Sequence, residues 1–573
     1  MNIQNDTFNL YNNPHALTLL HKREILQGEE TLTDLFTRVV NTLVDIEDLF
    51  NTSEDKKKKL RNKTYQAIAK QEIIFGSPIL TNAGRTSTPT GACTVIPIDL
   101  RQKQEVLQKI IEPYYQSGMG SGFDLTETEN PVETLKTLNA ISHNLCKTCK
   151  RPPAGLALLS VEHRDILEFV ELKKSANFLE WHLNLSVGIT DSFMEKLTNP
   201  NTPTDQKEQV QLIFNKIVES AHYCGEPGIL FVDRFEEHNP VPDFKYKSVA
   251  PCAEVAMSPG EVCQFSYINL AALLSKTDDG SLSFDFQRLV KVTRLLTRLL
   301  DNSVEISIQN AIANPEAIAE KRKIGIGVCG FADLLLKLGM PYGSKESQQL
   351  IAEILSIINY HSKTSSIKLG QSKGVFPSFT KSRYQQTEWT ERFGQYPTQH
   401  ITTKMWQQLA QKIATQGLRN ASTTALPPTG LSSRILGVSQ SIEPLFTLHD
   451  SDQSLRHEAV LALQSTTSPE KIQHIANQGY ISDEKTEIPD SICKLLRTIT
   501  QISAQEQLAM VGIIQRYVDE SVSKTTNLPN KATPDDVKQC FIEAYRLGLK
   551  GMTIFRDNCL QERLHLTTDE HTS

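Results

Sequence analysis

From Ile79 onward, short runs of β-forming residues alternate with amphipathic helical segments, and this alternation constrains the fold more than any other feature of the chain. The runs include CTVIPI (Cys93–Ile98), AGLALLSV (Ala154–Val161), NLSVGIT (Asn184–Thr190), GILFVD (Gly228–Asp233) and IGIGVCG (Ile324–Gly330). The two clearest helical patterns cover Phe284–Val304 and Gln348–Gly370. Strands separated by helices predict an α/β domain with a largely parallel sheet, because parallel neighbours need long crossovers.

The first 75 or so residues read as helical: Leu32, Leu35, Phe36, Val39, Val40 and Leu43 recur at helical spacing. The following KKKKLRNK run reads as a solvated helix face. Near the other end, Thr533 suits an N-cap, Pro534 the first helical position, Asp536 the first turn and Gly548 the exit, with GMTIF as a final strand. The polar stretches Lys381–Lys404 and Asp450–Thr486 read as surface insertions. No boundary stands out inside 76–556. The expected organisation is a helical region over 1–75, one α/β domain over 76–557 and a flexible tail over 558–573.

Bulk properties remove several function classes. A net charge of −6 provides no global basic field for nucleic acid. No apolar run approaches the ~20 residues that span a bilayer, and the N-terminus lacks the order of a secretory signal. A cytoplasmic protein is expected. Ten cysteines in 573 residues are too sparse for a disulfide scaffold, so each must be argued singly.

Three stretches could carry chemistry. SVAPCAEVAMSPGEVCQ places Cys252, Glu254 and Cys263 close together. A zinc site there lacks its other pair of ligands, since Cys146 and Cys149 form the one CxxC and no HxxxH accompanies it. As a reaction centre, Cys252 and Glu254 share a face of an extended loop stiffened by Pro251. A carboxylate beside a thiol disfavours the thiolate, which suits loss of a hydrogen atom more than of a proton. A chance pairing remains open on this fragment alone. PPTGLSS offers consecutive backbone N–H groups and the hydroxyls of Thr429, Ser432 and Ser433, the composition of a phosphate cradle or of a plain turn. QSGMGSGFD carries Gly118, Gly120 and Gly122, which permit close backbone approach to a ligand.

In order along the chain, SPILTNAG, TGACTVIPI, GMGSGF, RPPAGLALLSVEHRDILEFVELK, GEPGILFVDR, PCAE, INLAAL, IGIGVCGFADLL, PPTGLSS with SIEP, and DESVSKTTNLPN with GLKGMTIFRD resemble the large catalytic subunit of ribonucleotide reductases. The resemblance runs from about Ile25 to Asp557 and is strongest to the adenosylcobalamin-dependent class. It implies a ten-stranded α/β barrel with a finger loop through its centre. Cys252 at the tip would become a thiyl radical, Glu254 would be the general base, and Cys93 and Cys263 would be oxidised to a disulfide. Ser77, Ala92, Gly118, Gly120, Gly122, Ala250, Pro428, Thr429, Gly430, Leu431 and Ser432 would line the ribonucleotide, with PPTGLSS on its phosphates. No residue is assigned to a metal. The implied activity is reduction of ribonucleotides to 2′-deoxyribonucleotides, with di- and triphosphates both open.

The resemblance also bears on the radical source. The class with a separate radical-generating subunit ends in a tyrosine pair, and this chain has Ile554 and Phe555 there. The glycyl-radical class needs a C-terminal glycine, and LQERLHLTTDEHTS has none. Adenosylcobalamin is left. The chain departs from the family's Asn-Pro-Cys-Gly-Glu loop at Ala250 and Ala253. Only Cys559 follows the last strand, so a disulfide would be reset by thioredoxin, another dithiol or Cys146/Cys149. The N-terminus is expected to lack an ATP cone, and a homodimer is an open expectation. Two other readings stay open: a divergent relative doing redox-neutral radical chemistry on a nucleotide sugar, and a silent nucleotide binder.

Overall fold

The computed structural model describes residues 14–559, apart from 29, 86–87, 150, 176–180, 451–453 and 483–487. The tail expected over 558–573 therefore lies, from residue 560 on, outside the described residues. No helix among the described residues is long and apolar enough to cross a membrane.

The alternation of strand and helix closes into a barrel. After a short β1 (Ile73–Phe75), the strands β2 (Cys93–Val95), β3 (Gly120–Asp124), β4 (Gly155–Ser160), β5 (Leu183–Ile189) and β6 (Gly228–Phe231) lie side by side, each parallel to the next. A small hairpin follows, β7 (Ser248–Val249) with β8 (Ala256–Met257). The second half holds β9 (Val262–Asn269), then β12 (Ile324–Cys329) beyond an outlying hairpin of β10 (Leu274–Lys276) and β11 (Leu282–Phe284). Bridges Ile326–Thr424 and Leu426–Val522 carry the sheet on into β13 (Thr525–Leu528), which pairs parallel with β14 (Gly551–Arg556). The half made of β2–β6 and the half made of β9, β12, the bridged Thr424–Leu426 segment, β13 and β14 meet antiparallel at both seams, β9 against β2 and β14 against β6. This is the expected α/β barrel, ten strands closed on themselves.

The buried runs explain the ring. β9 and β12 are buried at every position, as befits strands covered on both faces. Helix Phe286–Gln309 packs outside them, and Lys345–Lys373 packs against that helix. The helix Pro534–Arg546 starts with Thr533 as the predicted N-cap, and Thr533 and Asp536 close a capping box there. The predicted N-terminal helices form as Pro14–Lys22, Leu32–Asp45 and Glu54–Ala69. The second of them buries Leu35, Phe36, Val39, Val40, Leu43 and Val44 in the same core as the barrel.

Two expectations about the polar stretches divide. Lys381–Lys404 is not a surface insertion: Tyr384, Phe393 and Ile401 are buried in the main core, and the Tyr384 hydroxyl donates to the Ala421 carbonyl at 2.9 Å. A few aromatic anchors bury the segment despite its polar composition. The described residues of Asp450–Thr486 do form an outer layer. Its helices His457–Gln464 and Pro469–Gln478 gather a separate small core, Ala459, Leu463, Ile475 and Ile481, against Ala332 and Leu336.

Candidate active site

The β7–β8 hairpin projects into the barrel with Pro251–Cys252–Ala253 at its tip. The tip is a tight turn. Ala250 N–H donates to Val255 O at 2.8 Å, and Ala253 N–H to Ala250 O at 2.7 Å. Ala253 takes φ +60, the left-handed region that disfavours an L side chain. The family's glycine at this position would carry no such cost.

The glycines of β3 make room for the hairpin. A Cβ at Gly122 would lie 2.1 Å from the Val249 carbonyl oxygen, and one at Gly120 would lie 2.8 Å from the Pro251 ring. The close approach at Gly120 and Gly122 is thus made by the chain's own finger, and neither glycine lines the cavity beside it. Gly118 differs: it lines the cavity beside the finger, and its carbonyl accepts from Arg151 at 2.8 Å.

That cavity, about 470 Å³, gathers most of the residues singled out in the sequence. Cys252, Glu254 and Cys93 line it together with Ser77, Ala92 and Pro428–Ser432. Cys263 and Ala250 are fully buried and do not line it. Cys263 sits directly opposite Cys93 in the β2–β9 ladder, and both thiols are free. Directly paired residues place their Cβ atoms about 4.5–5.5 Å apart on one face, within a small shift of disulfide geometry.

The electrostatics keep the thiols protonated. Cys252 has accessible surface, but that surface faces cavities inside the barrel. The surrounding protein, then the Glu254 charge, push its thiol up to about 12. Burial also raises Cys93, with Glu254 and Cys252 adding to it, and raises Cys263, with Glu520 adding to it. Glu254 is buried, its carboxyl is pushed up to about 7 by desolvation, and its Oε2 has no hydrogen-bond partner. Its backbone carbonyl is fixed by the Ser521 N–H at 2.9 Å.

The PPTGLSS stretch forms a short helix, Gly430–Leu436, whose first-turn N–H groups have no intrahelical acceptor. Thr429 Oγ1 accepts from the Ser441 N–H at 2.8 Å, and Ser432 Oγ donates to Phe75 O at 3.3 Å. The Ser432 hydroxyl is thus engaged within the protein, whereas the Thr429 O–H and the backbone N–H groups remain as donors at this end of the cavity. Helix Pro14–Lys22 packs on Gly430–Leu436, so Arg23 and Ile25 also reach the cavity wall.

Among the lining residues that the sequence does not single out, Arg151 and Tyr267 matter most to the site. Arg151 lies close enough to Cys252, Glu254 and Cys93 to oppose their upward shifts. Its signal in the sequence is the Lys150-Arg151 pair placed just before a buried apolar strand. Tyr267, on β9, donates to Pro428 O at 3.4 Å and joins two cavity walls.

A second cavity of about 340 Å³ reaches Cys252 from the other side of the finger. Its wall mixes apolar Leu156, Ile229, Leu230 and Met552 with polar Asn184, Ser186 and Thr553. Ile554 and Phe555 also line it, and no tyrosine does. Among the described residues, no group of three or more His, Cys, Asp or Glu side chains is placed to hold a metal ion.

Comparison with known proteins agrees with this fold. The family description "Ribonucleotide reductase, barrel domain" matches residues 124–208 and 198–555. A vitamin B12-dependent ribonucleoside-diphosphate reductase of Mycobacterium tuberculosis (strain CDC 1551 / Oshkosh) is 29% identical over 585 residues, covering 94% of this chain and 79% of the relative. The protein of the same description from Thermoplasma acidophilum is 29% identical over 536 residues, covering 87% of this chain and 65% of the relative. In fold, the chain is similar to the Actinobacillus ureae class Id ribonucleotide reductase alpha subunit, with a TM-score of 0.76 at 17% identity over 96% of this chain and 98% of that one. With a matched domain spanning most of its length, this chain belongs to the ribonucleotide reductase family, as a large-subunit barrel.

Proposed function

We propose that the chain reduces ribonucleotides to 2′-deoxyribonucleotides through a thiyl radical on Cys252, with adenosylcobalamin as the radical source. One observation carries the reading. A single cavity brings Cys252, Glu254 and Cys93 together with a helix N-terminus, while a separate cavity reaches the same sulfur from behind.

The chemistry follows from the groups present. A thiol held up to about 12 is a poor ionic nucleophile and retains its hydrogen for homolytic transfer. With the sugar in the larger cavity, Cys252 would exchange a hydrogen atom with the 3′ carbon. Glu254 Oε2, lacking a partner within the protein, would accept the 3′-hydroxyl proton. The 2′-hydroxyl would leave as water with a proton from Cys93. The Cys93 and Cys263 thiols would give up two electrons and two hydrogens and end as a disulfide. Cys93 faces the cavity and Cys263 lies behind it, so thioredoxin or another dithiol would attack at Cys93. The first-turn N–H groups of Gly430–Leu436, with Arg151 and Arg23 nearby, suit the anionic end of the substrate.

The second cavity fits the adenosyl portion of adenosylcobalamin, being of nucleoside size, mixed in polarity and open to Cys252. It has no room for a corrin ring, which would lie outside it. When bound, the cofactor supplies an organic radical through homolysis of its cobalt–carbon bond. Ile554 and Phe555 cannot relay an electron as phenols do, which supports a diffusible source. The B12-dependent relatives support it as well.

Ala250 bears on the rate. The asparagine of the family loop would offer an amide to Glu254, whereas Ala250 turns a buried methyl into the protein. The carboxylate must then be oriented by the substrate itself, which costs about a hundredfold in rate where one transition-state hydrogen bond is lost. Incubation of the protein with adenosylcobalamin, a dithiol and each ribonucleotide, followed by mass analysis of the nucleotide, tests the reading. Loss of one oxygen is expected. An unchanged mass with altered retention would indicate a redox-neutral rearrangement, and binding without product would indicate a silent nucleotide binder.

A further inference from the structure

Both arms of the finger are fastened at their roots by two lysines that the chemistry above does not use. Lys321 closes the helix Pro315–Lys321, and Lys323 immediately precedes β12. Both ammonium groups are buried. Lys321 Nζ donates to Phe244 O at 3.2 Å on the incoming arm and to Ser258 Oγ at 3.1 Å on the outgoing arm. Lys323 Nζ donates to the Tyr246 hydroxyl at 2.9 Å and to Ala256 O at 2.7 Å, again one contact on each arm. The Tyr246 ring also lies under both ammonium groups, with its centroid 4.7 Å from Lys321 Nζ and 4.3 Å from Lys323 Nζ.

Two carboxylates balance the two charges. Glu261, just before β9, pairs with Lys321 at 2.6 Å and with Lys323 at 3.4 Å. Glu520 pairs with Lys323 at 3.2 Å. Glu520 is followed by Ser521, whose N–H holds the Glu254 carbonyl. The ammonium of Lys323 thus reaches the finger by two routes, directly through Ala256 and Tyr246 and indirectly through Glu520–Ser521 to Glu254. A buried ion pair is a doubtful source of stability but an effective way to select one geometry. Here the selected geometry is that of a hairpin carrying a reactive sulfur at its tip.

We infer that Lys323 is a positioning residue for the finger: it fixes the two arms of the hairpin at one register and so sets where Cys252 and Glu254 stand in the cavity. The kinetic half of this inference rests on the proposed role of Cys252, and the structural half does not. Lys323→Met keeps the length of the side chain and removes its charge and donors.

The test is residue-level hydrogen exchange on the full chain, with steady-state kinetics alongside. The amides of Lys247, Ala250 and Ala253, bonded within the hairpin, are expected to exchange at least about tenfold faster in the variant, while the β4–β5 amides keep the wild-type rate. Turnover is expected to fall about a hundredfold with KM changed less than about twofold, because misplacement of the reacting sulfur affects the transition state more than binding. Tyr246→Phe removes only the hydroxyl contact and serves if the methionine variant does not fold; the same three amides should accelerate, by a smaller factor. Unchanged exchange in the hairpin, or equal acceleration throughout the barrel, overturns the inference. If the wild type shows no turnover, the proposed reaction fails, while the exchange data still decide the role of Lys323.

Discussion

Gly122→Ala tests whether the finger passes the barrel wall where the structure places it. The added Cβ would stand 2.1 Å from Val249 O, 2.9 Å from Ser248 Oγ and 3.2 Å from Ser248 Cβ. Ordinary contact begins near 3.4 Å, so strand or hairpin must give by about 1.3 Å. The nearest atom is backbone, which cannot rotate away as a flexible side chain can. Overpacking of this kind costs about 1–3 kcal/mol. Displacement of a reacting group by about 1 Å costs on the order of a hundredfold in rate. Gly430→Ala serves as a control for folding, since a Cβ there meets nothing within 4 Å. Urea unfolding of both variants, with product formation measured for Gly122→Ala, provides the comparison. Wild-type stability and wild-type turnover in Gly122→Ala would refute the threading of the hairpin past β3.

Three further outcomes follow from the same geometry. Ala253→Gly removes an L side chain from a left-handed turn and should stabilise the protein by about 1 kcal/mol in chemical denaturation; a loss of stability would contradict the turn. Glu254 accepts a proton only when ionised, and burial has pushed its carboxyl up to about 7, so turnover should rise with pH through about 7 and level off above it; a profile flat between about pH 5.5 and 8.5 would exclude it as the base. Glu47 is opposed by burial but held well below the usual carboxylate range by Arg298, Lys373 and Asn302. Its folded pKa is depressed, so its contribution is present above the unfolded value of 4.5 and is lost as pH falls through the folded one. Glu47→Gln should cost about 3 kcal/mol at neutral pH and flatten the acid limb of stability, as measured by denaturant titration across pH.

The legibility of this fold in its sequence varied with the kind of burial each segment meets. β4, β5, β6 and β12 are mostly apolar runs bounded by glycine or a helix start, and their burial comes chiefly from hydrophobic side chains. β9 was hidden because Gln264 and Ser266 interrupt its apolar residues. The structure buries Gln264 by pairing it with Ser303 at 2.9 Å and Ser307 at 2.7 Å on the helix outside the barrel. The closing segment near Thr424 was equally opaque. It is ordered by the Asp519 carboxylate, which accepts from the N–H groups of Thr423 at 2.9 Å and Thr424 at 3.2 Å across almost a hundred residues of chain. Gly120 and Gly122 signalled close approach correctly, but nothing local could say that the approaching group was the finger. Cys252, Glu254 and Cys93 were found by motif, and the cavity that unites them depends on strands drawn from both halves of the barrel. Arg151 opens one of the stretches that carry the resemblance, but nothing local marks it as a cavity residue, and its place there follows from the path of the chain into β4.

Cys252→Ser tests the central claim most directly, because serine keeps the size and hydrogen-bonding of the side chain while its O–H bond is too strong to serve as the hydrogen-atom relay. With adenosylcobalamin, a dithiol and a ribonucleotide, the wild-type protein is predicted to release a nucleotide lighter by one oxygen, and Cys252→Ser none, with substrate binding retained. Deoxynucleotide formed by Cys252→Ser at the wild-type rate would contradict the account.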